Sequence, residues 1–175
     1  ILDIGGGPGR YAIHYVKKGC AVTLVDLSGG NVAFAREKAR EEGVQLEAYE
    51  QNCLNLNELH LGQFDHVFLM GPLYHLKQRS DQARAVEQAL SCLKPGGKFY
   101  AAFIMAFAGI LFDLKYGGNI VHDSTSPDSR DLIDCIADGE DYLGRAFTST
   151  CFFHARNILP FMEQFPLKRL HLFGQ

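Results

Sequence analysis

The 175-residue sequence has no tryptophan, only three methionines and six prolines, and no cysteines at CxxC spacing. Its five cysteines (Cys20, Cys53, Cys92, Cys135 and Cys151) are odd in number and far apart. That spacing excludes a disulfide framework and a zinc ligand set. It fits free thiols in a reducing compartment. A surplus of positive charge is also lacking: 17 Lys and Arg stand against 20 Asp and Glu, for a net −3. Without a basic footprint, nucleic acid is not an expected partner. The longest apolar run, Phe99 to Phe112, has 14 residues, short of the ~20 that cross a bilayer. No basic start leads into an apolar stretch, as a secretory signal would. The expectation is a cytoplasmic protein with no membrane partner. Oligomeric state is left open.

What is present looks globular: 47% apolar and 21% charged residues, without repeats or low-complexity tracts. One domain over residues 1–175 is expected at this length. Ile1–Ile4 already reads as a buried strand and Leu167–Phe173 as another. Native ends beyond the given sequence are therefore expected.

Short apolar runs alternate with helical patterns through the first 110 residues. That alternation predicts a mostly parallel sheet with helices on both faces, a doubly wound α/β fold of Rossmann-like type. Strands are expected at 1–4, 21–26, 44–50, 64–70 and 98–103. Helices are expected at 10–18, 31–42 and 80–93, with Ser80 as an N-cap and Lys94-Pro95-Gly96-Gly97 as a turn. Residues 106–150 mix glycine, acids and aromatics and read as an insertion capping a site. A helix near 155–164 and a strand at 167–173 follow.

Ligands of such sheets bind at the carboxyl ends of the strands. After the first strand stands Gly5-Gly6-Gly7-Pro8-Gly9-Arg10. A dinucleotide loop would read GxGxxG, but its third glycine is Arg10 here. A GxGxG loop preceded by Asp3 favours a ligand bearing a carboxylate and an amine over a pyrophosphate. Asp26 closes the second strand, twenty-one residues after Gly5, where an acid accepts from a ribose diol. Together they point to a nucleoside-containing cofactor.

Four stretches carry a family resemblance: Ile1-Leu2-Asp3-Ile4-Gly5-Gly6-Gly7-Pro8-Gly9, Val22-Thr23-Leu24-Val25-Asp26-Leu27-Ser28, Phe64 through Leu76, and Leu93-Lys94-Pro95-Gly96-Gly97. In this order they resemble the motif series of class I S-adenosylmethionine-dependent methyltransferases. They are most similar to the small-molecule branch that includes ubiquinone and menaquinone biosynthesis-type enzymes. The resemblance implies S-adenosylmethionine as cofactor. Gly5, Gly7 and Gly9 would line its methionine part, and Asp3 would order the loop. Asp26 would take the ribose hydroxyls, and Leu27 would pack on adenine. Gln51-Asn52-Cys53 stands where the family commonly has Gly-Asp-Ala, so Asn52 would offer a neutral acceptor to the adenine amine, with Cys53 beside it. Met70 and Gly71 would wall the site near the transferred methyl.

The acceptor implied is a small molecule, methylated by in-line displacement. Gly71-Pro72-Leu73-Tyr74 lacks the polar-Pro-Pro-aromatic pattern of amine and glutamine methylation, and the cysteine of cytosine C5 enzymes. Met70-Gly71 and Ala106-Phe107 lack the carboxylates of metal-dependent catechol-type enzymes. Tyr11, Tyr74, His75 and His122 are candidates to touch substrate, as are Tyr116, Tyr142 and Arg145. A packing, helix-start or surface role is the alternative for each. No catalytic residue or metal site is indicated. Two other functions stay open: an S-adenosylmethionine-binding module without turnover, and a nicotinamide oxidoreductase.

Overall fold

The computed structural model describes residues 1–116, 127–145 and 149–174. Their contacts gather into two compact units, Ile1–Ala102 and Phe103–Gln175. The sequence had suggested one domain with an insertion over 106–150. Each unit is described separately below.

The first unit is built on five parallel strands: β1 (Leu2–Ile4), β2 (Thr23–Asp26), β3 (Glu47–Glu50), β4 (Phe64–Leu69) and β5 (Leu93–Ala101). Their spatial order is β3-β2-β1-β4-β5. β1 sits centrally, with Leu2, Asp3 and Ile4 level with Thr23, Leu24 and Val25 on one side and Val67, Phe68 and Leu69 on the other. Central strands covered on both faces are largely apolar runs. Accordingly Leu2, Ile4, Leu24, Val25, Val67 and Leu69 are all buried. Each such side chain contributes about 1.5–3 kcal/mol relative to leaving it in water. β3 and β5 are the edges and are correspondingly exposed, only Ala48 of β3 being buried.

Helices α1 (Arg10–Lys17) and α2 (Gly29–Glu41) connect β1 to β2 and β2 to β3; α3 (Arg79–Ser91) connects β4 to β5. The first two crossovers run one way along the sheet and the third runs the other way. Right-handed crossovers therefore put α3 on the opposite face. Ala12 of α1 and Val32 and Ala35 of α2 pack over Val22, Leu24 and Ala48.

Local details differ from the sequence expectation in several places. α3 begins one residue before Ser80, with extended Gln78 at the cap position and no side-chain cap bond. Lys94-Pro95-Gly96-Gly97 does not precede β5 but lies within it. The register with β4 jumps there, from Phe64↔Leu93 to His66↔Lys98, so the turn residues form a bulge. The third strand starts at Glu47 rather than 44. Residues 167–173 form no strand: Lys168-Arg169 and Leu172-Phe173 break the alternation that a half-buried strand needs.

The second unit holds α4 (Phe107–Tyr116), α5 (Pro127–Asp138), the antiparallel pair β6 (Tyr142–Arg145) and β7 (Ser149–Phe152), and α6 (Ala155–Met162). One cluster joins Ala106, Leu132, Tyr142 and Phe152; another joins Cys151, Phe153 and Ile158 with Phe103 and Met105. His154 caps α6, its Nδ1 accepting from the Arg156 N–H at 3.3 Å. Among the described residues no helix is long and apolar enough to cross a membrane.

Candidate functional site

Strand order reverses between β1 and β4, on either side of which the chain leaves toward opposite edges. The two exits meet closely there. A Cβ on Gly71 would fall 2.8 Å from the Gly5 carbonyl oxygen, and one on Gly5 would fall 2.6 Å from Pro72 Cδ. Only glycine lets these two backbones touch.

The glycine loop turns on Gly5, Gly7 and Gly9, with φ of 70°, 55° and 84°. Gly5 N–H donates to the Val25 carbonyl at 2.7 Å, tying the loop to β2. Gly7 faces open space, with nothing within 4 Å of where a Cβ would stand. Gly9 is different: it is buried, caps α1, and a Cβ there would fall 2.9 Å from Ala35 Cβ. Close helix packing, the task of the last glycine in a dinucleotide loop, thus falls to Gly9. Of the three glycines it is Gly7 that offers an open backbone.

Asp26 is held from three sides. Its Oδ2 accepts from Gly7 N–H at 2.8 Å, and its Oδ1 accepts from Ser28 N–H at 2.9 Å and Asn31 Nδ2 at 3.1 Å. The carboxylate therefore links the glycine loop to the start of α2, where Ser28 Oγ caps the helix by accepting from Asn31 N–H. Leu27 beside it is 69% exposed, an apolar surface available for packing.

Asp3 lies beneath the loop, 2% exposed, and its Oδ2 is a buried acceptor without a hydrogen-bond partner. Burial raises its pKa to about 6; the Ala12 backbone hydrogen bond opposes the rise, and the Asp26 charge adds to it. Asp3 Oδ2 would stand 2.8 Å from a Cβ on Gly6. Orphaned buried acceptors are costly, so this one suits a ligand donor brought close through the loop.

Beyond β3, Gln51 N–H donates to the Asp26 carbonyl at 3.0 Å. Asn52 then caps a 3₁₀ turn over Cys53–Leu59, its Oδ1 accepting from Leu54 N–H at 3.0 Å. The amide oxygen expected to face adenine thus spends one of its two lone pairs on the chain itself. The Cys53 thiol is pushed up to about 11 by burial, which keeps it protonated.

Beyond β4, Met70 and Gly71 are half-buried, and a short 3₁₀ turn covers Pro72–Tyr74. Tyr74 Oη donates to the Met70 carbonyl at 3.0 Å, and its ring meets that of His75 edge-on at 4.8 Å. Burial raises the Tyr74 pKa, and the Tyr11 charge raises it further, which keeps the phenol a donor. Tyr11 is 52% exposed on the first turn of α1. His122 lies outside the described residues. Tyr142 is a core residue of the second unit, while Tyr116 is exposed on α4.

Asn31, Gln82 and Arg84 were not anticipated. Gln82 is 1% exposed in the apolar stripe of α3, and its Nε2 donates to the Leu76 carbonyl at 2.7 Å, tethering the loop with Tyr74 and His75. A polar residue amid Ala85, Val86 and Ala89 was the signal available. An open groove of about 940 Å³ lies at the opposite, amino end of the strands. Its polar walls are paired with one another, as Lys94 with Asp65 and Thr23 with Glu47. It is distant from the strand ends that the topology singles out. Among the described residues no cluster of His, Cys, Asp and Glu could hold a metal ion.

Comparison with known proteins agrees with this geometry. The family described as "Methyltransferase domain" matches residues 1–97. A curated relative, the ubiquinone biosynthesis O-methyltransferase of Sodalis glossinidius, is 32% identical over 133 residues, which is 71% of this chain and 52% of that protein. The chain spans about half the length of the curated relatives it matches. A S-adenosylmethionine-dependent methyltransferase structure from Methanosarcina mazei superposes with a TM-score of 0.65 at 21% identity, over 93% of this chain and 76% of that one. A [4+2]-cyclase superposes with a TM-score of 0.51 at 28% identity, over 57% of this chain and 36% of that one.

Proposed function

Since the chain belongs to the methyltransferase-domain family, whose cofactor is S-adenosylmethionine, we propose that it carries out methyl transfer to a small-molecule acceptor. The observation that supports this best is the convergence of three features on adjacent strand ends. They are the open Gly7 backbone after β1, the Asp26 carboxylate after β2, and Asn52-Cys53 after β3. In this reading Asp26 receives the ribose hydroxyls and Leu27 covers one face of the base. Asp3 answers the amine of the methionine part through the glycine loop. Met70 and Gly71 border the reactive end, with Tyr11, Tyr74 and His75 toward the acceptor. S-adenosylmethionine supplies an electrophilic methyl on a sulfonium. The chain's contribution is to hold the acceptor in line, and positioning of that kind can lower a barrier by several kcal/mol. The residues identified are mostly binding groups, as such a division of labour requires. The ubiquinone biosynthesis O-methyltransferases among its relatives suggest an oxygen acceptor on a small aromatic molecule.

A second reading, binding without turnover, draws on one observation: the Asn52 amide oxygen already accepts from the chain's own turn.

Thermal unfolding with S-adenosylmethionine, S-adenosylhomocysteine or a nicotinamide dinucleotide tests the cofactor. A ligand at 100 times its Kd adds about 2.7 kcal/mol, a rise of roughly 5–11 °C at this size. A rise with the first two alone is expected. A rise with the dinucleotide alone refutes the assignment. Methyl transfer to a panel of phenols and catechols then separates the two readings: binding with no product from any acceptor favours the second.

A further inference from the structure

The 3₁₀ turn Cys53–Leu59 is two pieces joined at a kink, where Asn55 leaves the helical region at φ −131°, ψ 33°. A kinked turn of this length has little intrinsic stability, because short helical segments cost more to nucleate than they return. Two side chains of α3, four residues apart and so on one face, bracket that kink. Arg84 Nε donates to the Leu54 carbonyl at 2.8 Å and Arg84 Nη2 to Asn55 Oδ1 at 3.0 Å. Gln88 Oε1 accepts from Asn57 N–H at 2.9 Å. The same turn begins at Asn52, whose carbonyl caps it, and Asn52 follows Gln51, which is bonded to the Asp26 backbone. One connected series therefore runs from α3 through the turn to the strand ends. Its hinge is the guanidinium fork, whose Nε and Nη2 reach two acceptors in a fixed planar geometry that a single ammonium nitrogen does not reproduce.

We propose that Arg84, with Gln88 beside it, is a positioning residue for nucleobase recognition: it holds the kinked turn so that Asn52 and Cys53 keep the geometry that reads the adenine amine. The proposal rests on the cofactor reading above. It goes further by assigning base selectivity to residues of α3 that touch no ligand.

The test compares binding of S-adenosylhomocysteine and S-inosylhomocysteine, which carries an oxo group where the adenine amine stands. The unaltered chain should prefer the adenosyl ligand. Arg84→Ala should weaken that ligand by about tenfold while shifting the inosyl ligand by about twofold or less, so the preference collapses. Arg84→Lys, which keeps the charge but replaces the planar fork by a single nitrogen, should fall between, and it carries the same test should the alanine variant not fold. Equal weakening of both ligands, or no change in either, overturns the proposal and leaves the cofactor reading intact. Failure of the unaltered chain to bind S-adenosylhomocysteine overturns both.

Discussion

Asp26→Asn probes the site most directly, because the change is isosteric and the structure makes its cost specific. Both carboxylate oxygens of Asp26 face donors: Gly7 N–H on Oδ2, and Ser28 N–H and Asn31 Nδ2 on Oδ1. An asparagine amide has one acceptor end and one donor end. With its oxygen toward Ser28 and Asn31, its NH₂ opposes Gly7 N–H. Flipped, it opposes the other two. Either orientation sets a donor against a donor, at about 1–3 kcal/mol when buried. Asp26 is half-buried, so the lower part of that range applies, about 1–2 kcal/mol. At about 2–4 °C per kcal/mol the melting midpoint should fall by roughly 2–8 °C. The variant also replaces a charged acceptor of ribose hydroxyls by a neutral one. S-adenosylhomocysteine should bind about 10–100-fold more weakly by titration calorimetry, equivalent to 1.4–2.8 kcal/mol. An asparagine variant that melts and binds like the unaltered chain would show that Asp26 neither organises the loop nor meets the ribose.

Three other outcomes are expected. Burial lifts the Asp3 carboxyl from the ordinary 3.8 to about 6. The folded state thus holds the proton more tightly, and its contribution, up to about 3 kcal/mol, is present below pH 4 and lost as pH rises to 6. Asp3→Asn should flatten the unliganded stability profile across that window in urea titrations, and a persisting slope would assign it to other groups. Gly71→Ala puts a Cβ 2.8 Å from the Gly5 carbonyl oxygen. A loss of about 1–3 kcal/mol, together with weakened cofactor binding, is expected by chemical denaturation and calorimetry; a neutral change would mean that the two loops part at no cost. Cys53, pushed up to about 11, should react with iodoacetamide at pH 8 far more slowly in the folded chain than in urea. Equal rates by peptide mass mapping would contradict its burial.

Much of the first unit could be read from the chain because its signals were local. β1, β2 and β4 are apolar runs of the length a doubly covered strand needs, and Asp26 stood at the register where such a strand ends. Other features depended on partners distant in sequence. Leu167–Phe173 reads as a strand by its apolar residues, yet no strand forms there. Lys94-Pro95-Gly96-Gly97 reads as a turn between elements, yet the ladder with β4 resumes beyond it, making a bulge. Gln78 rather than Ser80 stands at the cap position of α3. The turn after Asn52 carries no periodic pattern, being stabilised from α3 by Arg84 and Gln88. Gly9 matched the glycine pattern of a ligand loop, and the nearness of Ala35 adds a packing reason for glycine there that the sequence did not show.

Order along the chain thus carried the fold class, the family and the positions of the strand-end loops, because burial period, glycine placement and a terminal acid are properties of neighbouring residues. The state of each group in the site came from the folded arrangement. Asp3 became a buried acid with one oxygen unpartnered, the Asn52 amide oxygen accepted a bond from its own turn, and Asp26 acquired donors on both oxygens. Desolvation and hydrogen-bond geometry depend on which atoms lie within a few ångströms, and those atoms are separated by up to dozens of residues in sequence.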